Sequence, residues 1–214
     1  MKQLLLVSWL LSLSAILGLP EVKADVRMPL IFGNHMVLQQ DTRITIWGWA
    51  DAGENIEVLF AGQKVRTTAN ADGTWQVKLK PVKTKKKGET LTITGKNKLV
   101  YSDVLVGDVW VASGQSNMEW GIKVRKEYAD DIAHSEDSLL RLFFVPKNTS
   151  LQPLSEIEIP QGTASPERAA RWVLCTPEML AKISTHITCK VIGRVSLPLP
   201  ITLHVICVLQ TDVR

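Results

Sequence analysis

The stretch "LVGDVWVASGQSNMEW", residues 105–120, decides how the rest of the chain is read. Val104 to Ala112 is almost continuously apolar, the mark of a strand buried on both faces, as in a parallel sheet. It runs into Ser113-Gly114-Gln115-Ser116-Asn117, where small and polar residues end it. Glu119 to Ser135 is polar and tolerates a helix, with Ile122, Tyr128, Ile132 and Ala133 as inner positions. Leu139 to Val145 is a second apolar run. Strand, helix and strand in that order predict a right-handed crossover unit. Ser116 therefore stands where a strand stops and a helix begins. A serine there has two readings. It caps the helix, or it is a nucleophile whose turn lifts Oγ out of the sheet and aims the first helical N–H groups at an oxyanion. Gly114 permits the tight approach. The spacing is that of a Gly-x-Ser-x-Gly elbow except that Met118 holds the fifth place. A nucleophilic serine also needs a base, because the hydroxyl is weak at neutral pH.

Upstream, residues 25–104 read as all-β. Ile44 and Ile46 alternate with Thr45, Trp47 and Trp49. Ile56, Val58 and Phe60 repeat at period two, as do Trp75, Val77 and Leu79, then Leu91 and Ile93. Turn signals at Asp51-Ala52-Gly53, Ala61-Gly62, Asn70-Ala71-Asp72-Gly73 and Lys87-Gly88 separate these runs. Short strands at such spacing predict a sandwich. Trp47, Trp49 and Trp75 fall on this periodicity. They read as sheet packing, or as a platform on which sugar rings stack. Lys83, Lys85, Lys86 and Lys87 read as a solvated hairpin loop, the other reading being an anion-binding patch.

Composition allows a buried core, with 45% apolar and 21% charged residues. A net charge of +4 without a concentrated basic face argues against nucleic acid as a partner. Residues 1–24 read as a secretory signal peptide: Lys2, an apolar run from Leu4 to Leu17, and Ala24 before Asp25. That run is shorter than the ~20 residues of a membrane-spanning helix, so export without a membrane span is expected. Cys175, Cys189 and Cys207 form no disulfide framework and match no zinc spacing, although one bridge is allowed.

Downstream, residues 146–170 are loop-rich, with Pro146, Pro153, Pro160 and Pro166. Arg171 to Glu178 starts another element, with Pro177 placed for a helix N-terminus. Residues 183–214 contain no Ala, Glu, Phe, Trp, Tyr or Asn and hold no helical or strand period. Val191 to Leu209 is apolar, but Arg194, Pro198, Pro200 and His204 argue against a membrane span.

The block "GDVWVASGQSNMEW" resembles the nucleophile block of sialate O-acetylesterases, within the SGNH-hydrolase group of serine esterases. "NHMVLQQ" (34–40), "ITIWGWADAGE" (44–54), "DGTWQVKL" (72–79) and "LTITGKN" (91–97) resemble that family's N-terminal β-domain. "RLFFVPKNTS" (141–150) and "RWVLCTPEML" (171–180) resemble its next segments. The resemblance covers about residues 25–182. It implies a multi-domain α/β protein: a β-sandwich (25–104), then the first part of an SGNH-type parallel α/β hydrolase domain (105–182). It also implies that Ser116 is the nucleophile and a backbone oxyanion donor, with Gly114, Gln115 and Asn117 supporting the turn. The implied substrate is an O-acetylated carbohydrate, typically sialic acid, and no cofactor or metal is required.

The family's base and its carboxylate come from a late Asp-x-x-His, and no counterpart is identifiable. Asp131-x-x-His134 has the spacing but lies soon after Ser116, on the helix expected to leave the turn, and reads as a surface pair. His35 reads as structural. His186 and His204 have Ile183 and Ile201 three places before them. Residues 183–214 are expected to be out-of-frame or otherwise unrelated sequence in a truncated family member, and activity is expected to be weak or absent. A second expectation is a non-catalytic carbohydrate-binding module in which Trp47, Trp49 and Trp75 stack sugars.

Overall fold

A computed structural model of the chain describes residues 25–112, 126–146, 151–152, 154–162, 170–180 and 204–208. The signal-peptide reading, the Ser116 turn (113–125) and most of the tail lie outside the described residues.

Alternation in the sequence becomes alternation in burial. Strand β2 (Ile44–Trp49) pairs antiparallel with β5 (Thr74–Leu79) in a two-stranded sheet, Trp47 opposite Gln76 and Gly48 opposite Trp75. Its inner face carries Ile44, Ile46, Trp75, Val77 and Leu79. A larger sheet holds β3 (Asn55–Phe60), β4 (Gln63–Thr68), β6 (Lys85–Thr94) and β7 (Lys98–Ala112), and its inner residues include Ile56, Val58, Phe60, Leu91, Ile93 and Val104. The two inner faces form one apolar cluster. Each fully buried aliphatic side chain there contributes roughly 1.5–3 kcal/mol.

The charged strand β4 escapes the apolar pattern because it is an edge, with Lys64 and Arg66 both paired to Glu57. The short strand β1 (Val37–Gln39) is fixed from outside, by parallel pairing to Leu105–Gly107 of β7.

Buried polar groups close the turns of this layer. Glu54 is 7% exposed and accepts hydrogen bonds from the backbone N–H of Lys96 at 2.6 Å and of Asp51 at 3.2 Å. The Asn97 side chain takes both backbone groups of Val26, accepting from N–H at 2.9 Å and donating to C=O at 3.0 Å, which substitutes for a strand partner.

The lysine cluster departs from expectation. Lys85, Lys86 and Lys87 open strand β6 rather than a loop, all three exposed, with Lys85 paired to Glu89. Register shifts between Lys85 and Leu91 break the period there. Gly88 sits in this irregular stretch because a Cβ would overlap Asp103.

Strand β7 crosses the expected boundary between residues 104 and 105. It runs unbroken from Lys98 to Ala112, antiparallel to β6 along its first part and parallel to β10 (His204–Val208) from Asp108 onward. The large sheet has the order β4-β3-β6-β7-β10-β8-β9, with β8 at Asp137–Phe144 and β9 at Trp172–Cys175. The core is shared as well, because Phe143, Ala170 and Trp172 join the cluster of the first layer.

Strands β7 and β8 are parallel, as expected for a crossover unit, but they are not neighbours: β10 lies between them and pairs with both. The described residues of the tail thus form a strand, His-Val-Ile-Cys-Val, whose β-branched content suits the middle of a parallel sheet. Between β7 and β8 the described helical structure is a 3₁₀ turn (Lys126–Tyr128) and the five-residue helix α1 (Ala129–Ala133). Helix α2 (Pro177–Leu180) begins on Pro177, as its fixed φ favours. Among the described residues no helix is long and apolar enough to cross a membrane.

Candidate functional site

The sequence pointed to the end of β7. In the paired register Ala112 stands opposite Val208, and Val208 opposite Phe144. Three parallel strands therefore finish at one level, and the segments after Ala112, Phe144 and Val208 leave from the same edge. In open parallel sheets ligands bind outside this carboxyl edge. Gly114, Gln115, Ser116 and Asn117 follow Ala112 directly in sequence and lie outside the described residues.

The approach to that edge is braced by the first resembling block. Gln40 donates its backbone N–H to Gly107 at 2.8 Å and its side-chain amide to Asp108 at 3.1 Å. Gln39 accepts from the Val109 N–H at 2.8 Å. Both glutamines hold Gly107–Val109, where β7 passes from β1 to β10.

The Asp131-x-x-His134 spacing forms no dyad. Both residues are exposed at α1, and the His134 ring Nδ1 instead lies 2.8 Å from the Asp130 carbonyl. His186 lies outside the described residues, and His204 opens β10. Cys175 is a free, buried thiol, pushed up to about 11 by burial and by the nearby Asp137 charge. Such a thiol is inert as a nucleophile. Among the described residues no group of His, Cys, Asp or Glu could hold a metal ion.

One polar cluster was not anticipated. His35 Nδ1 and Asp103 Oδ2 lie 2.7 Å apart, and the Arg141 guanidinium reaches the same oxygen at 2.9 Å. Partial burial pushes the Asp103 carboxyl up, but the His35 hydrogen bond and the Arg141 charge outweigh it and hold the group below its usual range. An ionised carboxylate only accepts, so the shared proton sits on Nδ1. His35 (φ 64°) and Asp103 (φ 52°) both adopt left-handed backbone, a strain of order 1–3 kcal/mol each that packing must offset. Arg141 is 3% exposed, also donates to the Ser138 carbonyl, and has no partner for Nε among the described residues.

An imidazole oriented by a carboxylate has the form of a general base, but this one cannot serve Ser116. Asp103 and Ala112 are nine residues apart on one extended strand, or ~30 Å at ~3.3 Å per residue. Four further residues reach at most ~14 Å even if they double straight back. The His35 cluster is therefore a structural tie between β1, β7 and β8, in keeping with the structural reading of His35. The sequence carried one signal of it: Arg141 is the single charge inside the apolar run Leu139–Val145, and a buried charge demands a partner.

No family model matches the chain. Curated relatives do. Mouse "Sialate O-acetylesterase" is 32% identical over 141 residues, which is 59% of this chain and 26% of that protein. The rat protein of the same name is 34% identical over 141 residues, 58% of this chain and 25% of that protein. The human one is 28% identical over 148 residues, 62% of this chain and 28% of that protein. Among solved structures, a carbohydrate acetylesterase from Xanthomonas citri superposes with a TM-score of 0.72 at 29% identity, covering 86% of this chain and 40% of that one. The chain spans about a quarter of the length of the curated relatives it matches. The resemblance read in the sequence is thus met by similarity to proteins named sialate O-acetylesterase over 58–62% of this chain, and by the fold of a carbohydrate acetylesterase over 86% of it.

Proposed function

We propose that the chain carries the nucleophile-bearing part of a carbohydrate esterase of the sialate O-acetylesterase type, with Ser116 as nucleophile. One observation carries the reading: the Ser-Gly-Gln-Ser-Asn block follows the strand whose carboxyl end is level with those of β8 and β10, in a chain related to carbohydrate acetylesterases. Ser116 Oγ attacks the acetyl carbonyl of a sugar ester. The tetrahedral oxyanion is held by backbone N–H groups of the turn, among them that of Ser116, supported by Gly114, Gln115 and Asn117. Collapse releases the sugar hydroxyl and leaves an acetyl-enzyme, which water cleaves to acetate. Residues 1–24 direct export, and the SGNH-type layer begins within β7.

Triad members act as a unit, so a Ser116 without its base would turn over several orders of magnitude more slowly than a complete site. The test is acetate release from 9-O-acetylated sialic acid and from p-nitrophenyl acetate, with Ser116→Ala alongside. Slow release abolished by the substitution supports the assignment. Release that survives it overturns Ser116 as nucleophile.

A further inference from the structure

The tryptophans that the sequence left undivided separate in three dimensions. Trp75 is 2% exposed and belongs to the core. Trp49 is covered on one face by the Arg27 guanidinium, 3.9 Å from its ring. Trp47 differs. It points out of the β2–β5 sheet and is 40% exposed, although an apolar ring of that size is ordinarily withdrawn from water.

Its setting is polar and ordered. Phe32 meets it edge to face, with ring centroids 4.7 Å apart at 75°, which fixes the indole orientation. Gln76 is its direct cross-strand neighbour and is exposed; Lys78 is exposed on the same face two residues on. Residues i and i+2 of a strand share a face and stand ~7 Å apart, a distance one sugar ring can bridge.

We infer that Trp47, Gln76 and Lys78 form a glycan-contact site on the outer face of the small sheet, separate from the Ser116 turn. The apolar C–H face of a pyranose ring stacks on the Trp47 indole. Its hydroxyls hydrogen-bond the Gln76 amide, and a hydroxyl or a sugar carboxylate reaches the Lys78 ammonium. An exposed indole flanked by amide and ammonium donors fits a ligand that is apolar on one face and rich in oxygen at its rim. An apolar protein surface would leave both donors unsatisfied. The inference rests on the reading that this chain handles carbohydrate, and adds a site that holds the glycan irrespective of its ester groups.

The test is affinity electrophoresis of the full chain through gels cast with de-esterified polysialic acid in one arm and de-esterified xylan in the other. Retardation is expected in at least one gel, weakened about tenfold by Trp47→Ala, largely kept by Trp47→Phe and unchanged by Ser116→Ala. Retardation confined to polysialic acid assigns an acidic sugar held through Lys78; retardation in xylan assigns a neutral pyranose. Absence of retardation in both gels overturns the inference, as does a correctly folded Trp47→Ala that migrates like the parent. Should Trp47→Ala fail to fold, Gln76→Ala gives the same readout, and unaltered retardation again overturns it. Failure of the esterase reading is seen separately, as acetate release that is insensitive to Ser116→Ala while retardation persists.

Discussion

Asp103 shows how one carboxylate can fasten three segments. It receives His35 from the loop before β1 and Arg141 from β8, and it stands on β7 beside Gly88 of β6. Removing it strands a guanidinium that is 3% exposed. Asp103→Ala should therefore cost about 3 kcal/mol in urea denaturation, at the low end for a buried ionic group because Asp103 itself is partly exposed. Arg141→Met, which removes the charge and keeps the bulk, should cost clearly less. The pH dependence follows from the direction of the Asp103 shift. Its carboxyl is lowered in the folded state, so its stabilisation is present above the unfolded value of 3.8 and is lost as pH falls through the folded value. Acid unfolding midpoints should show this slope in the parent and a flatter one in Asp103→Asn. At this scale the sequence marked Ser116 as a candidate through its neighbours and hinted at Arg141 through its isolation. It could not reveal Asp103 or the role of His35, because nothing local distinguishes a carboxylate on a strand from one that meets a partner 68 positions away.

Period two made β2, β3, β5 and the second half of β6 legible, because each has one face in the core and one in solvent. Strands whose place is decided by distant pairing did not announce themselves. β1 is three residues long and exists by its ladder to β7, and β10 is recruited between β7 and β8. Sequence order carries no record of a strand placed between β7 and β8 from later in the chain. Turn chemistry is the other contribution at this scale. Glu54 closes two turns at once through the N–H groups of Asp51 and Lys96. Glu54→Ala leaves both donors without their acceptor in a nearly enclosed site, and should lower stability by about 2–3 kcal/mol. A thermal melt of the variant against the parent checks it. A loss below about 0.5 kcal/mol would mean that water replaces the carboxylate.

At the scale of the whole molecule, side-chain ties reach from residues 25–104 to later segments of the chain. Glu156 receives the Leu30 N–H at 2.8 Å and pairs with Arg27 at 3.0 Å, and the Trp172 indole donates to the Ile31 carbonyl at 2.7 Å. Residues 25–104 expressed alone would lose these ties together with Leu105, Val106, Phe143 and Trp172 from a common core. Such a segment should unfold over a broader denaturant range, with a smaller slope, than the whole chain. A sharp transition at the parent's midpoint would establish the sandwich as independent. The candidate catalytic turn was legible only as a motif, since its chemistry depends on partners supplied from elsewhere in the fold.

The unbroken run of β7 has a mechanical consequence. At ~3.3 Å per residue its fifteen residues make a stiff ribbon of ~50 Å, clamped in antiparallel register at one end and in parallel register at the other. The one left-handed residue along it, Asp103 (φ 52°), is pinned by His35 and Arg141. Load placed on one register is then carried along the same strand to the other, so a substitution that loosens the β6–β7 pairing should also weaken the β7–β10 pairing.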